Sequence, residues 1–127
     1  MSEAPAATST KPRVLVADDE QVIANTLAII LNQAGFEARA VYSGEKVIEA
    51  LESFRPDMLI SDVIMTGMTG IEAAIAVRKK MPGCKVLLFS GQAATADLLE
   101  KARADGHEFE ILAKPVHPTD LLAKLRG

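Results

Sequence analysis

The 127-residue chain contains one cysteine, one tyrosine, four phenylalanines and no tryptophan. The lone cysteine, Cys84, has no partner for an internal disulfide, and the apolar run beside it predicts a small buried hydrophobic side chain. Two histidines and one cysteine, all far apart in the chain, give no zinc-ligand spacing. The scarcity of aromatic residues also argues against a base-stacking surface for nucleic acids.

The sequence also lacks a basic surplus and a long apolar segment. Lys and Arg number 14 against 17 Asp and Glu, for a net charge of −3, whereas nucleic-acid-binding domains are usually basic. No run approaches the ~20 apolar residues of a membrane span, and residues 1–12 lack the apolar segment of a signal peptide. We therefore expect a cytoplasmic protein without direct nucleic-acid or membrane contacts. Residues 1–12 are predicted to form a disordered leader and residues 13–127 a single domain.

Short apolar runs alternate with segments whose apolar residues recur at helical spacing. The runs, which predict β-strands, are residues 13–17, 37–42, 58–61, 85–90 and 109–113. Helices are predicted over 21–34, after the N-cap Ser43, between Ile71 and Pro82, over 97–104 and from Pro118 onward. This alternation predicts an α/β fold, a parallel sheet with right-handed crossovers and helices on both faces. The first, third and fourth runs are the most apolar and should be central strands, with the second and fifth at the edges.

Polar residues follow the predicted strands at the sheet edge where open parallel sheets bind ligands. These residues are Asp18, Asp19 and Glu20 after the first strand, Asp62 after the third, Ser90 and Gly91 at the end of the fourth, and Lys114 after the fifth. Two carboxylates ~4 Å apart repel by about 4 kcal/mol at an effective dielectric constant of ~20. Such a cluster needs a cation or raised pKa values. Lys114 is one candidate cation, and a hard divalent ion, best Mg²⁺, is the other.

A carboxylate beside a divalent ion, a lysine and a hydroxyl suits phosphoryl transfer, because a carboxylate can attack phosphorus and form an acyl phosphate. Asp62 is the predicted nucleophile, since it stands alone after a central strand beside a glycine-containing loop. Asp18 and Asp19 are adjacent and suit a metal-holding pair. Taken singly, these aspartates are also explained as helix-capping or turn residues, so their joint placement carries the prediction.

The remaining polar groups at this edge suit contacts to a phosphoryl group. Lys114, with the metal, would neutralise charge on the transferring group. The hydroxyl of Ser90 and the amide of Gly91 could hold a phosphoryl oxygen. A solvated surface lysine and an N-cap serine are the simpler alternatives.

In this arrangement the sequence resembles the receiver domains of two-component response regulators. The resemblance covers Arg13 to Leu125, and its motifs, in chain order, are Val16-Ala17-Asp18-Asp19-Glu20, Asp62-Val63-Ile64-Met65 running to Gly70, Phe89-Ser90-Gly91 and Ala113-Lys114-Pro115. Each motif alone is weak, but the ordered set, each ending a predicted strand, is specific. The resemblance implies the flavodoxin-like strand order 2-1-3-4-5. It also implies a signalling domain that catalyses only its own phosphoryl transfer and dephosphorylation.

The resemblance assigns a role to each acidic residue. Asp62 would accept a phosphoryl group from the phosphohistidine of a sensor histidine kinase or a histidine phosphotransfer protein, and so switch the interaction with an unidentified downstream effector. Mg²⁺ would be held by Asp19, Asp62 and the backbone carbonyl of Ile64, with Asp18 acting mainly through water.

The same resemblance makes Ser90 the switch hydroxyl and Lys114 the cation that contacts the phosphoryl group. It also predicts a cis peptide between Lys114 and Pro115, an isomer that costs only ~0.5–1 kcal/mol before proline. Ile64 and Gln92 occupy the positions that influence water attack on the phosphoryl group. Apolar Ile64 cannot orient a water, which favours slow self-dephosphorylation.

Three positions depart from the family pattern. Thr66 stands where a proline is common, a change that loosens the loop but removes no chemical group. Ile111 replaces the usual aromatic residue, and Phe109, on the same face of the strand, is a candidate substitute. The loop over residues 105–108 is the predicted insertion.

Two other functions stay open from the sequence. A degenerate receiver could bind partners without being phosphorylated, which Ile111 favours. An aspartate-nucleophile phosphatase of the haloacid dehalogenase type normally needs Asp-x-Asp after its first strand, together with a cap domain. This chain offers adjacent aspartates there and no segment for a cap.

Overall fold

The computed structural model describes residues 11–91 and 95–126. Strands and helices alternate in the order β1 (Arg13–Ala17), α1 (Gln21–Gln33), β2 (Glu37–Val41), α2 (Gly44–Phe54), β3 (Met58–Asp62), α3 (Gly70–Lys80), β4 (Lys85–Ser90), α4 (Thr95–Ala104), β5 (Glu110–Ala113) and α5 (Pro118–Arg126). Most of the predicted leader and Gln92 lie outside the described residues. None of the described helices is both long enough and apolar enough to cross a bilayer.

The strands form one parallel sheet in the order β2-β1-β3-β4-β5. The predicted fold class and strand order are therefore confirmed. Residues 14–17 of β1 are fully buried, whereas β2 and β5 hold no buried residue. Helices cover both faces of the central strands, which explains why their sequences read as continuous apolar runs.

Alternate residues of each central strand enter two separate cores, because successive side chains point to opposite faces of the sheet. In β1, Leu15 and Ala17 pack with α2 and α3, while Val14 and Val16 pack with α1 and α5. Cys84 is buried in the first of these cores, as predicted. Desolvation, with a smaller effect from the negative charge of Asp57, raises the pKa of its thiol to about 11.

Several element boundaries differ from the predicted ones by one or two residues. β3 extends through Asp62, which pairs with Phe89 of β4, so Asp62 is the last residue of the strand rather than the first after it. β2 ends at Val41, and the Tyr42 hydroxyl donates to Asn25 Oδ1 at 2.6 Å. α4 begins at Thr95, ahead of the predicted start at 97, and β5 begins at Glu110.

The loop that follows Asp62 is held at both ends. The amide of Gly70 donates to the Val63 carbonyl at 2.9 Å. Thr69 and Glu72 form a reciprocal capping box at the start of α3, with bonds of 3.1 and 2.8 Å. The course of the chain beyond the strand end is therefore set by these hydrogen bonds.

Candidate functional site

Three aspartates meet at the carboxyl edge of the sheet. Asp18 and Asp19 follow β1 and Asp62 ends β3, and each offers a carboxylate oxygen within 4.8 Å of the others. β1 and β3 are hydrogen-bonded neighbours, which brings residues 44 apart in sequence, Asp18 and Asp62, to the same place. Asp18 is fully buried and Asp62 is buried, while Asp19 is exposed.

Lys114, which follows β5, supplies a positive charge to this cluster. Its Nζ donates to Asp62 Oδ2 at 2.8 Å and lies 3.6 Å from Asp18 Oδ2. Burial lowers the pKa of Lys114, but the hydrogen bond and attraction to Asp62, with attraction to Asp18 and Glu20, raise it above its usual value overall. The ammonium is therefore charged at neutral pH.

Gly91 leaves the space that the lysine stem occupies. A Cβ at this position would lie 2.9 Å from Lys114 Cβ, closer than real side chains approach. The Lys114 amide also donates to the Ser90 carbonyl at 3.0 Å, and the Lys114–Pro115 peptide is cis, as predicted. These contacts direct the lysine across the end of β4 toward Asp62.

Asp18 is the most deeply buried carboxylate of the cluster. Its Oδ1 accepts from the Glu20 amide at 2.9 Å, but within the described chain its buried Oδ2 has no hydrogen-bond partner. The 3.6 Å separation from Lys114 gives an ion pair but is too long for a hydrogen bond. Desolvation raises the pKa of Asp18, and the charges of Asp62 and Asp19 add to that rise, against the lowering effects of the Glu20 amide and Lys114.

The donor set fits a hard divalent cation. Three carboxylates face one ammonium, so negative charge remains in excess, and the unpartnered Asp18 Oδ2 is an oxygen that a bound cation or its water could satisfy. Oxygen-only ligands and room for water are what Mg²⁺ requires.

A polar cavity of about 460 Å³ opens beside these carboxylates. We call it the acidic cavity, and it is lined by Asp19, Glu20, Asp62, Ile64, Gly91, Thr95 and Lys114. The Ile64 amide lies 3.4 Å from Asp62 Oδ1, while its side chain is exposed. Of the predicted site residues that the structure describes, all but Ser90 and the buried Asp18 line this cavity.

Two threonines contribute contacts that the sequence reasoning missed. Thr66 donates to Asp19 Oδ2 from both its amide and its hydroxyl, each at 3.0 Å. Thr95, buried at the start of α4, shares a hydrogen bond between its hydroxyl and that of Ser90. Ser90 thus lies next to the acidic cavity and is engaged by a residue that lines it. Thr66 had a signal in the sequence, its departure from the family proline, whereas nothing marked Thr95.

We predict that Asp18→Asn raises the free energy of unfolding by about 1 kcal/mol at neutral pH without divalent cations. The pKa of Asp18 is higher in the folded chain than the ~3.9 of an unfolded aspartate. The folded chain therefore binds more protons, and this group's contribution to stability falls as pH rises through the folded pKa. The asparagine side chain does not ionise, so the variant does not lose this stability at neutral pH. Urea denaturation at pH 7 in EDTA measures the difference.

The exposed aspartate Asp105, just beyond α4, provides the matched control. Asp105→Asn should change stability by less than about 0.5 kcal/mol. A destabilised Asp18→Asn would show that attraction to Lys114 outweighs the desolvation of Asp18.

The doubly wound parallel sheet has the flavodoxin-like strand order and gathers carboxylates and a lysine at its carboxyl edge. The family model of the response regulator receiver domain matches residues 14–126. The chain belongs to this family, and it is a receiver domain of two-component response regulators.

Individual relatives agree with that assignment. The chain is 27% identical to the DNA-binding response regulator MtrA of Mycolicibacterium paratuberculosis, over 92% of this chain and 51% of that protein. It is 29% identical to the chemotaxis protein CheY of Thermotoga maritima, over 89% of this chain and 93% of that protein. The fold matches that of a CheY-like receiver domain protein from Methanospirillum hungatei, with a TM-score of 0.82, 24% identity and 92% of each chain covered. The chain thus spans about half the length of MtrA and nearly all of CheY.

Proposed function

We propose that residues 13–127 form a phosphoacceptor domain that receives a phosphoryl group on Asp62. The observation that carries the proposal is the 2.8 Å contact between Lys114 Nζ and Asp62 Oδ2 beside the acidic cavity. A carboxylate held against a positive charge and open to a polar cavity suits attack on a phosphoryl group.

In the proposed reaction, an Asp62 oxygen forms a bond to phosphorus as the bond between phosphorus and the donor's imidazole nitrogen breaks. The imidazole leaves with the electron pair of that bond, and the product is an acyl phosphate. Lys114 offsets negative charge on the transferring oxygens. The Gly91 amide and the Ser90 hydroxyl hold a phosphoryl oxygen, and Ser90 exchanges its hydrogen bond to Thr95 for this contact.

The same cluster is proposed to bind Mg²⁺. Asp19, Asp62 and the backbone carbonyl of Ile64 would hold the ion, with Asp18 contributing mainly through water. When bound, the ion supplies positive charge that neutralises the phosphoryl oxygens.

The proposed donors are a sensor histidine kinase or a histidine phosphotransfer protein in the cytoplasm. The phosphoryl group would favour one of two arrangements of the β4–α4 loop, α4 and β5, because only one arrangement makes the contacts from Ser90 and Lys114. An effector that binds that arrangement receives the signal. We propose no direct contact of this domain with nucleic acid or membrane.

A second candidate function is a receiver that binds partners without phosphorylation. The Phe109 ring lies under the Arg78 guanidinium at 4.0 Å, and Arg78 also donates to the Glu108 carbonyl at 2.6 Å. Phe109 is therefore held against α3, and Ile111 occupies the position of the usual switch aromatic. This arrangement favours a surface around β5 whose conformation does not change when the acceptor site is phosphorylated.

Incubation with acetyl phosphate and Mg²⁺, followed by intact-mass measurement, tests the first candidate. We expect one added phosphate per chain, and none when EDTA removes the metal. A chain that binds neither Mg²⁺ nor beryllofluoride and forms no adduct would contradict the phosphoacceptor proposal and support the second candidate.

A further inference from the structure

We propose that Thr66 is a positioning residue that holds the Asp19 carboxylate ready for the divalent cation; this inference rests on the proposed function. The amide and the hydroxyl of Thr66 both lie 3.0 Å from the same oxygen, Asp19 Oδ2. The two residues are 47 positions apart. The contact therefore links the loop after β3 to the loop after β1.

The two hydrogen bonds restrict a side chain that would otherwise move freely. Asp19 is exposed, and an exposed aspartate loses rotamer freedom when it binds a cation. A carboxylate oxygen has two lone pairs, and two donors on Oδ2 use both of them. The other oxygen, Oδ1, is left for a cation, in an orientation set before binding. Preorganisation of this kind raises affinity by reducing the entropy lost on binding.

The donors of Thr66 come from a well-fixed part of the chain. Its neighbour Met65 is 5% exposed and packs in the core against α2 and α3. The Gly70 amide bonds back to the Val63 carbonyl at 2.9 Å, so both sides of Thr66 are held. A proline, common at this position in the family, has neither an amide hydrogen nor a hydroxyl. Threonine thus provides here a link that proline cannot.

Isothermal titration of the full chain with MgCl₂ tests this role without any turnover measurement. We expect Thr66→Val, which lacks the hydroxyl but keeps the amide, to bind Mg²⁺ about fivefold more weakly than the unaltered chain. Thr66→Ser, which restores the hydroxyl, should bind within about twofold of it. Thr26→Val, an exposed position on α1, is the matched control and should leave the affinity unchanged.

The possible outcomes separate the two proposals. If the unaltered chain does not bind Mg²⁺, both the metal site and the role of Thr66 are wrong. If it binds and Thr66→Val binds equally or more tightly, only the role of Thr66 is wrong. A serine variant as weak as the valine variant would likewise exclude the hydroxyl contact. Thr66 is exposed, so its variants should fold, and Thr66→Ala provides a second removal of the hydroxyl.

Discussion

Asp62→Asn is expected to carry no phosphate after incubation with acetyl phosphate and Mg²⁺, a reduction of at least about a hundredfold in adduct. The substitution removes the negative charge of the nucleophilic oxygen. It leaves Lys114, whose Nζ lies 2.8 Å from Asp62 Oδ2, with a neutral amide in place of its ionic partner. It also removes one of the three carboxylates of the cluster. Intact-mass spectra of both proteins, recorded side by side, provide the measurement.

Asp120, exposed in the first turn of α5, offers the control for this prediction. Asp120→Asn changes the net charge by the same amount but lies outside the acidic cavity, so it should accept phosphate as the unaltered chain does. A phosphate that persists undiminished in Asp62→Asn would place the acceptor on another residue.

Gly70→Ala is expected to reduce the free energy of unfolding by at least about 3 kcal/mol. A Cβ at Gly70 would lie 1.9 Å from the backbone oxygen of Asp62 and 2.9 Å from Ser61 Oγ. The obstacle is the backbone of a central strand, so rotation of a side chain cannot relieve it. β3 or the start of α3 must shift, and a shift of β3 displaces Asp62.

Gly83→Ala is the matched control for the same measurement by urea denaturation. A Cβ at Gly83 meets nothing within 4 Å, and its φ is outside the left-handed region. This variant should differ from the unaltered chain by less than about 0.5 kcal/mol. Equal stability of the two alanine variants would show that the chain near Gly70 adjusts without cost.

The sheet was predictable because its central strands are buried on both faces. Such strands are apolar at most positions, so Val14 to Ala17 and Val86 to Phe89 stand out from the amphipathic helices around them. The edge strand β5 was harder to delimit, since it contains no buried residue. Its predicted start at Phe109 was wrong by one residue.

The positions of the acidic residues and of Lys114 also followed from the sequence, because parallel strands bring their carboxyl ends to one edge. The contacts made by Thr66 and Thr95 did not. Both depend on the path of a loop, and a threonine hydroxyl has no sequence pattern that names its partner. The position of Phe109 under Arg78 likewise depends on how α3 packs beside β5.

The acidic cluster combines residues that are far apart in the chain, since Asp18 and Asp19 follow β1 and Asp62 ends β3. An unfolded chain cannot assemble these three carboxylates, so a cation that binds them selects the folded chain. At a free concentration of 100 times its dissociation constant, such a ligand adds about 2.7 kcal/mol to the stability of the whole domain. Thermal melting in increasing MgCl₂ would thus measure the affinity of the proposed Mg²⁺ site, with no need for a dye or a partner.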